Sequence, residues 1–440
     1  MTKRRREGIL PFKVVATDEP LVARGGLVLP YELARALKLA KVIDGELPKP
    51  GSGRGYKPSQ FVIPLVLMLH GGGKKLEDLR ELKAEISLRE LVEMKELPAS
   101  CTVGDWLRRM GQDGKGLFGL ARVNRHMVSE ILKRESRKEY TLDADATVIE
   151  AEKEEAKWSY KKEKGYQPLL GFLFELGLAL GDEFRDGNVP AGAGALEFLR
   201  YCENMMPQGK RIRYYRSDSA AYQASVINHC FEHDMLFTIT ADQDKAVKEA
   251  IKSIREEDWQ SYEGDREIAE TIHTMNNTGE AFRLIVQRWP KLQGELFDPN
   301  TYSYHVIATN REEPAEDIVH LHNQRGQAEN FIKELKDGFG MDWVPCGETY
   351  ANAVFFRIGV IAYNLFLAMK LLALPPWYRS FTISTARWRL YQVAGAVVKH
   401  AHQLLLKLAA LDKVILFCKF RLRCYELAYG YPLKDNSPLS

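Results

Sequence analysis

Cysteine is scarce in this 440-residue chain, which contains only six. None of them shows the Cys-x2-Cys spacing of a zinc site, and their scattered positions do not resemble a disulfide-rich domain. Disulfides form mainly outside the cytoplasm, so scattered cysteines are typical of proteins in a reducing compartment. The sequence therefore argues against a disulfide framework or a zinc site, and it predicts a cytoplasmic protein.

Apolar runs of membrane-spanning length without charged or amide side chains are also missing. Near the N-terminus, Arg4–Glu7 is followed by only a short apolar stretch, so we expect no signal peptide. The longest apolar stretch, Ala351–Leu374, contains Arg357, Asn364 and Lys370, and such residues are costly in a bilayer. A membrane span usually needs about 20 apolar residues with few charges. We therefore expect a buried core helix at this position, and no membrane partner.

The chain has little net charge, +3 at pH 7, and this total indicates no partner. The charge is unevenly distributed, because Lys3–Arg6 is basic and the segment from Arg379 to Arg423 holds nine lysines or arginines against the single acid Asp412. Such segments neutralise phosphates in some proteins and form the hydrated face of packed helices in others. The length and a hydrophobic content of 45% predict two or three globular domains.

The first part of the chain, up to residue 135, has helical periodicity. Ser100 and Thr102 are possible N-cap residues for the last of its predicted helices. A helix-turn-helix domain has this appearance, and so does a small helical bundle, because sequence does not show how helices dock. We interpret residues 1–135 as a helical DNA-binding region, with the bundle as an open alternative. The predicted helices are Pro30–Ala40, Gln60–His70, Leu76–Leu91 and one within Pro98–Arg109.

From residue 140 the pattern changes to strands that alternate with helices. The order is β-β-β-α-β-α-β, and a helix from His320 to Lys336 follows after an interruption. This is the element order of an RNase H-like α/β domain, a mixed sheet flanked by helices, which we assign to residues 136–241 and 312–345. The predicted elements are the strand Tyr140–Ile149, the hairpin strands Gln167–Glu175 and Gly177–Arg185, the helix Ala193–Met206, the strand Arg211–Arg216, the helix Tyr222–His233 and the strand Leu236–Thr240.

The interruption, residues 242–311, is too long for a loop in a compact domain. Alternating patterns at Ala281–Gln287 and Thr301–Ile307 predict strands, so we interpret it as an inserted, mainly β subdomain. The remaining residues, 346–440, are expected to form a helical, basic C-terminal region. Its predicted helices, Ala351–Leu374 and Thr385–Leu408, would cover the sheet or support a surface that faces DNA.

The helix that ends the α/β domain combines a carboxylate with cations on one face. In an ideal helix each residue is rotated by about 100° around the helix axis, and we take Arg325 as 0°. Three further residues then lie within a narrow sector of the helix circumference. They are His322 at about 60°, Glu329 at about 40° and Lys336 at about 20°. Glu334, at about 180°, lies on the opposite face and is expected to be structural. A row of solvated ion pairs has this pattern, and so does a metal-binding acid flanked by phosphate-binding groups.

Two further acids occupy positions that would meet Glu329. Asp145 lies in the first strand and Asp218 at the end of the fourth, and these positions converge at one sheet edge. Three carboxylates at one point repel unless cations join them, and hard oxygen ligands suit Mg²⁺ or Mn²⁺. Two such ions about 3.5–4 Å apart support phosphoryl transfer. Asp143, on the same strand face as Asp145, remains an alternative ligand, and Asp218 has the alternative role of a turn or N-cap residue.

The spacing His322-x2-Arg325-x3-Glu329-x6-Lys336 resembles the Tyr-x2-Arg-x3-Glu-x6-Lys signature of bacterial insertion-sequence transposases in the DDE, RNase H-like superfamily. Leu142–Thr147 and Arg216–Ala220 resemble the surroundings of that group's first two acids, and the likeness covers nearly the whole chain. The resemblance implies Asp145, Asp218 and Glu329 as the catalytic, metal-binding triad, with two Mg²⁺ ions that Mn²⁺ can replace. It implies Arg325 and Lys336 as contacts to DNA phosphates, and a DNA-binding position at His322, where the signature has tyrosine.

Enzymes of this kind with a β insertion use an aromatic residue to hold a base flipped from the DNA end. Trp259 and Trp289 are candidates by position, and the alternative places both in the core of the insertion. Stacking on such a ring offsets the few kcal/mol that base extrusion costs. A base held in this way would allow second-strand cleavage through a DNA hairpin.

The resemblance therefore implies a DNA transposase that binds the terminal inverted repeats of an insertion sequence, cleaves the ends and transfers the strands to target DNA. Such an enzyme acts on double-stranded DNA in the bacterial cytoplasm, associated with the nucleoid. It forms a homodimer in the DNA complex and needs no small-molecule cofactor. Two alternatives stay open: a nuclease or resolvase of the same fold that cuts without strand transfer, and a non-catalytic DNA-binding protein derived from a transposase.

Overall fold

A computed structural model describes residues 12–51, 55–159, 162–291 and 302–430 of the chain. The basic segment Lys3–Arg6 lies outside these described residues, and so does Thr301, the expected first residue of an inserted strand. The described chain contains a nine-stranded mixed sheet, two three-stranded sheets and helices that pack around them.

A short strand, β1 (Leu21–Val22), and seven helices form the first part of the described chain. The helices are α1 (Val28–Ala36), α2 (Leu39–Glu46), α3 (Ser59–Gly71), α4 (Leu79–Ala84), α5 (Ile86–Leu91), α6 (Ser100–Gln112) and α7 (Lys115–Leu132). The helical prediction is confirmed, although Lys38, with a positive φ of 57°, divides the first predicted helix into α1 and α2. The N-cap of α6 is Ala99, so the expected side-chain cap by Ser100 or Thr102 is wrong.

The α/β part contains the predicted order of main strands and helices. Its elements are β2 (Glu139–Ala146), β3 (Ile149–Glu150), β4 (Lys157–Trp158), β5 (Lys164–Tyr166), β6 (Leu169–Leu173), β7 (Leu178–Glu183), α8 (Ala195–Met205), β8 (Arg211–Ser217), α9 (Ala224–Glu232) and β9 (Leu236–Thr240). The main strands lie in the order β9-β8-β2-β6-β7, and the predicted β6–β7 hairpin is confirmed. β8 and β9 run parallel to β2, whereas β6 is antiparallel to it. The small sheet β3-β5-β4 was not predicted.

The interruption after β9 adds strands to the same sheet. Its elements are α10 (Lys245–Lys252), β10 (Gln260–Ser261), β11 (Glu267–His273), β12 (Phe282–Pro290) and β13 (Tyr302–Thr309). β13 pairs antiparallel with β9, with Ile307 opposite Thr240, and the full order is β10-β11-β12-β13-β9-β8-β2-β6-β7. The strands were expected, but they extend the central sheet instead of forming a separate subdomain. The physical reason is the edge of β9, whose backbone groups need partners that β13 supplies.

The helix predicted from His320 to Lys336 is not continuous. α11 (Ala315–Asn323) and α12 (Gly326–Lys333) are separated by a turn at Gln324 and Arg325, and a π-helical turn covers Glu334–Gly338. Across the break the backbone hydrogen bonds run from residue i to residue i−3, which tightens the chain. A constant rotation of about 100° per residue therefore does not hold over this segment.

α13 (Thr349–Ala368) is the buried centre of the helical part of the molecule. With the turn that follows it, this helix is long and apolar enough to cross a membrane. However, 83% of its most apolar 18-residue stretch is buried inside the protein. This is the burial of a core helix, as expected. Its Asn364 side chain donates to Asn124 on α7 at 2.8 Å, and α3 and α6 also pack on it. The N-terminal and C-terminal helices thus form one body across the expected boundaries at residues 135 and 346.

The C-terminal part differs most from expectation. Its elements are α14 (Ile383–Ala386), β14 (Gly395–His400), β15 (Gln403–Leu408) and α15 (Leu411–Tyr429). The predicted helix Thr385–Leu408 is wrong, because most of it is a β hairpin whose turn residues, Ala401 and His402, have positive φ. β-branched Val397 and Val398 favour the strand. β1 pairs with β14, so the region expected to be helical contains a three-stranded sheet.

Candidate active site

Asp145 and Asp218 lie side by side at the ends of two neighbouring strands. β2 and β8 run parallel, and their pairing places Ala144 opposite Ser217. Asp145 and Asp218 directly follow this pair of residues, so the two acids leave the paired part of the strands at the same end of the sheet. The structure therefore brings the first two predicted acids together at one edge of the sheet.

Glu329 approaches the same edge from α12. This helix turns Ala328 and Ile332 towards the protein interior and leaves Glu329 exposed. Glu329 and Asp145 line one cleft with a volume of about 410 Å³. The complete lining of this cleft is Asp145, Ala146, Thr147, Glu329, Ile332, Lys333, Lys336 and Asp337.

The Asp145 carboxyl group is electrostatically perturbed. Burial raises the pKa of Asp145 to about 6, although the Arg325 guanidinium, 3.5 Å away, acts to lower it. The negative charges of Asp218 and Glu329 also raise this pKa, because both acids lie near Asp145. A divalent cation among the three carboxylates would relieve both the burial penalty and the repulsion. The hard oxygen donors of these residues fit Mg²⁺ or Mn²⁺.

The triad is not a compact cluster of ligand atoms. In the described part of the chain, only one group of three His, Cys, Asp or Glu residues has its ligand atoms within 4.8 Å of one another. That group is Glu203, His229 and His233, on other elements. Wider spacing of the triad is the arrangement that repulsion between three carboxylates favours.

Asp143, the alternative first ligand, is paired with an arginine. Its side chain is fully buried, and its two oxygens accept hydrogen bonds from the Arg216 guanidinium at 2.7 and 2.8 Å. Arg216 also donates to the backbone oxygen of Leu321 at 2.7 Å, which ties α11 to the sheet. A bidentate pair commits both Asp143 oxygens to Arg216. The geometry therefore favours Asp145 over Asp143 as a ligand.

Asp218 also has the turn role that was considered as its alternative. One of its carboxylate oxygens accepts a hydrogen bond from the backbone N–H of Ala220 at 3.0 Å, which caps the 3-10 turn Ser219–Ala221. A carboxylate has two oxygens, and this cap uses one of them. The cap orients the side chain and is compatible with metal ligation by the second oxygen.

Arg325 and Lys336 both lie beside the acids. Arg325 contacts Asp145, and the Lys336 ammonium donates to the backbone oxygen of Val148 at 2.6 Å and to the Thr147 hydroxyl at 3.3 Å. Both cations are therefore held next to the end of the strand that carries Asp145. The structure thus places two cationic side chains beside the acids.

His322 lies away from the cleft surface. It is 3% exposed, and its two ring nitrogens contact the hydroxyls of Thr240 and Thr238 at 3.0 and 3.2 Å. Burial lowers the pKa of His322 to about 3, so the imidazole is neutral at physiological pH. The expected DNA contact by His322 does not fit this placement, because a buried neutral ring presents no charge to a phosphate. The turn at Gln324 and Arg325 separates its face from that of Glu329.

Trp289 lies on a part of the sheet that projects beyond the acid edge. Thr240, the last residue of β9, pairs with Ile307 of β13, whereas Trp289 of β12 pairs with Ser303 of β13. Ser303 precedes Ile307 by four residues, which corresponds to about 13 Å of strand. Trp289 therefore stands beyond the carboxyl end of β9, on the same side as the acids.

Both candidate tryptophans have packing partners within the extension. The Trp259 ring lies 6.5 Å from the ring of Tyr304, and the Arg288 guanidinium lies 4.1 Å from its centre. The Arg266 guanidinium lies 5.1 Å from the centre of the Trp289 ring. Each tryptophan is half-buried, so each retains some accessible surface. These contacts support the structural alternative, and the base-holding role stays a prediction.

Sequence reasoning missed several contributors to the site. Arg216 was part of the motif around Asp218, but its buried pair with Asp143 depends on the register of β2 and β8. Thr147 and Lys333 line the cleft as well. The spacing of Lys333, four residues after Glu329, was the available signal for its proximity.

The fold and site define a protein that can hold divalent cations on an open edge of a mixed sheet, beside cations suited to a polyanion. Sequence comparison identifies the family. The family described as Transposase DDE domain group 1 matches residues 11–413, and the chain belongs to this family of DDE transposases. It is a DNA transposase, so DNA is its partner, and it depends on divalent metal ions.

Two other comparisons gave the following results. No curated protein sequence matches the chain. One similar solved structure is a cryo-EM structure of the piggyBac transposase synaptic complex with hairpin DNA. It has a TM-score of 0.48 and 9% sequence identity, and the match covers 84% of this chain and 80% of that chain.

Proposed function

We propose that this transposase binds the terminal inverted repeats of a bacterial insertion sequence, cleaves the ends and transfers the strands to target DNA. The observation that carries the proposal is the placement of Asp145 beside Asp218 on parallel strands, with Glu329 in the same cleft as Asp145. Acids at an open edge can meet a substrate as large as duplex DNA. The reaction joins two element ends to one target, so we also propose a homodimer in the DNA complex, acting at the bacterial nucleoid.

We assign β9-β8-β2-β6-β7 to an RNase H-like catalytic core. The central strand β2 carries the first acid, runs parallel to β8 and β9 and is antiparallel to β6. These directions and this order support the assignment. The strands β10 to β13 are then an insertion that joins the edge of the core sheet.

Asp145, Asp218 and Glu329 are the residues that would hold two Mg²⁺ ions, with Mn²⁺ as a substitute. When bound, such ions lower the pKa of a water or 3′-hydroxyl nucleophile and stabilise the leaving oxygen. The fit is supported by the raised pKa of Asp145, which is buried beside two like charges that a cation would compensate.

Arg325 and Lys336 are proposed to bind DNA phosphates next to the reacting bond. The contact of Arg325 with Asp145 is long, 3.5 Å, and a guanidinium readily exchanges such a contact for a bidentate phosphate. Lys336 is anchored by the Val148 carbonyl, which keeps its ammonium at the cleft as a point charge. His322 supports the end of α11 in this scheme and makes no DNA contact.

Trp259 or Trp289 is proposed to stack on a base that is flipped from the DNA end, which would permit cleavage through a hairpin. The support is the position of this part of the sheet, beyond the acid edge. Replacing the responsible tryptophan by alanine should reduce hairpin formation while first-strand nicking continues. A denaturing gel of wild-type products that contains free ends and no hairpin species would contradict this route.

The proposal is tested by Glu329→Gln, with Glu316→Gln on α11 as the matched control. Glu329→Gln should abolish strand cleavage in Mg²⁺, because it replaces a carboxylate ligand by a neutral amide. Binding to an end-containing duplex should persist, because the shape of the side chain hardly changes. Glu316 is exposed and lines no part of the cleft, so its variant should cleave normally. Retained cleavage by Glu329→Gln would overturn the assignment of this acid.

The same assay separates the alternative functions. A transposase joins the cleaved 3′ end to a supercoiled target plasmid, whereas a nuclease or resolvase of this fold yields cleaved ends only. Cleavage without any joined product would favour the nuclease. Binding without cleavage by the wild-type protein would favour a non-catalytic DNA-binding protein.

A further inference from the structure

A second group of potential metal ligands lies between α8 and α9. Glu203 is on α8, His229 is on α9 and His233 follows directly after α9. One ligand atom of each residue lies within 4.8 Å of the others. The two histidines are four residues apart, about one helical turn, and helical zinc sites use this spacing to place two imidazoles on one face. Their ring centres are 4.1 Å apart.

This group lies at the end of the sheet opposite the acid triad. β8 ends at the triad edge with Ser217, α9 then runs back along the sheet, and β9 begins again at Leu236. His229 and His233 are at the C-terminal end of α9, near the start of β9. The acid triad and the group of Glu203, His229 and His233 are therefore separate sites. A metal ion bound at one of them would not contact the residues of the other.

His229 is the buried member of the group. It is 3% exposed, and its Nε2 lies 2.7 Å from a carboxylate oxygen of Glu203. Its second nitrogen, Nδ1, is buried and has no hydrogen-bond partner among the described residues. Buried polar atoms are nearly always paired, and an exception in a native fold often marks an ion or a functional group.

We propose that Glu203, His229 and His233 bind a transition-metal ion of the Zn²⁺ class, which clamps α8 to α9. Two imidazoles and one carboxylate suit Zn²⁺, whereas the oxygen-only triad suits Mg²⁺. The Glu203 side chain is 26% exposed and His233 is exposed, so an ion can reach the site from solvent. The clamp fixes the helix that connects the turn of Asp218 to β9. This proposal rests on geometry alone and does not depend on the proposed transposition reaction.

The test measures metal content in untagged full-length protein. Protein is stripped with a chelator, incubated with a slight excess of Zn²⁺, passed through a desalting column and analysed by inductively coupled plasma mass spectrometry. We expect about one Zn²⁺ per chain in the wild type and in Asp145→Asn. His233→Gln should weaken Zn²⁺ binding by about tenfold or more, since even changes to residues that only support a ligand cost 10–100-fold.

Controls keep the test decisive. His233 is exposed, so His233→Gln should fold normally, which circular dichroism checks. His320→Gln changes an exposed histidine on α11 and should leave the Zn²⁺ content unchanged. Cobalt(II) provides a second readout, because a tetrahedral site gives visible absorption bands that His233→Gln should remove. Zn²⁺ content that is unaffected by His233→Gln, content lost in Asp145→Asn instead, or no retained Zn²⁺ in the wild type would each overturn the proposal.

Discussion

Two aspartates, two residues apart on β2, have different surroundings. Asp143 is fully buried against Arg216, whereas Asp145 reaches the cleft and has Asp218 and Glu329 as neighbours. Side chains alternate between the two faces of a strand, so Asp143 and Asp145 share a face. The sequence alone therefore did not decide which of them is the metal ligand. The pairing of Arg216 with Asp143 distinguishes them, and that pairing depends on the register between β2 and β8.

Asp145→Asn should stabilise the protein in metal-free buffer at neutral pH. The carboxyl group ionises near 3.8 when unfolded and at about 6 when folded, so the folded state loses stability as pH rises through this window. Asparagine removes the penalty, and we expect a gain of about 1–3 kcal/mol at pH 7.5 that shrinks towards pH 4. Denaturant unfolding in chelator at several pH values measures it. A wild type that is the more stable protein at pH 7.5 would contradict the raised pKa.

Asp143→Asn should have the opposite effect, although burial raises the pKa of Asp143 to about 6 as well, because Asp143 shares a buried pair with Arg216. It leaves the Arg216 guanidinium buried without its carboxylate, and breaking such a pair costs about 3–5 kcal/mol. The same unfolding measurement gives the comparison, with Asp145→Asn as the matched variant on the same strand. Similar stability of Asp143→Asn and the wild type would show that the pair is not a structural anchor.

At the scale of elements, local patterns were predictable and pairing between distant segments was not. The strand Leu236–Thr240 was predicted with its observed bounds, because its apolar β-branched pattern is local. The hairpin that contains Ala401 and His402 was missed, because its apolar residues also fit a helix and its turn residues are not glycine or asparagine. The edge of β9 that receives β13 is a tertiary feature, so an insertion subdomain and a sheet extension look alike in sequence.

The segment predicted as one helix from His320 to Lys336 also shows that local patterns do not fix tertiary contacts. Its acid and two cations were predicted as neighbours of the site, and Arg325 and Lys336 do lie beside Asp145 and Thr147. His322 was placed on the same face only by assuming a constant rotation per residue. The tightened turn at Gln324 and Arg325 breaks that rotation, and His322 becomes a buried partner of two threonines.

Arg325→Ala and Lys336→Ala should each weaken DNA binding and flatten its salt dependence. Every phosphate contact releases counterions, so each loss should reduce the slope of log K against log salt by about 1. Fluorescence anisotropy with an end-containing duplex at several salt concentrations measures the slope. His322→Gln is the matched control: it should lower thermal stability and leave the slope unchanged, because the ring is buried and neutral. A slope altered by His322→Gln alone would reverse these assignments.

At the scale of the whole molecule, the N-terminal and C-terminal helices share one core. α3, α6 and α7 pack on α13, and Arg108 of α6 donates to Glu348 at 2.9 Å. The change from helical to strand patterns along the chain suggested boundaries at residues 135 and 346, but such patterns do not show that two ends of a chain pack together. The DNA-binding role of residues 1–135 stays a prediction, and a DNA-facing surface there would be part of the larger helical body.

A fragment of residues 1–135 should therefore not fold independently. Removing α13 exposes the apolar faces of α3, α6 and α7, and the fragment should aggregate or unfold without a cooperative transition. Size-exclusion chromatography and thermal circular dichroism of the fragment and of the full chain test this expectation. A monomeric fragment with a sharp melting transition would instead support a separate domain.

The cysteine pattern did not predict the metal site that we propose between α8 and α9. It was the argument against a disulfide framework or a zinc site, and all six cysteines are free in the described residues. The proposed site of Glu203, His229 and His233 uses no cysteine, and its ligands come from α8, from α9 and from the residue directly after α9, where these two helices contact each other. The four-residue spacing of His229 and His233 was not recognised in the sequence, and the approach of Glu203 depends on the packing of α8 against α9.

The central claim is that Asp145, Asp218 and Glu329 together hold the metal ions at a DNA end. Anomalous scattering from a crystal of the protein with an end-containing duplex and Mn²⁺ tests it most directly. The account predicts manganese peaks at ligand distance, about 2.0–2.4 Å, from oxygens of all three residues. Asp143 should remain paired with Arg216 in the same crystal. Manganese bound by Asp143, or no manganese between Asp145 and Glu329, would contradict the account.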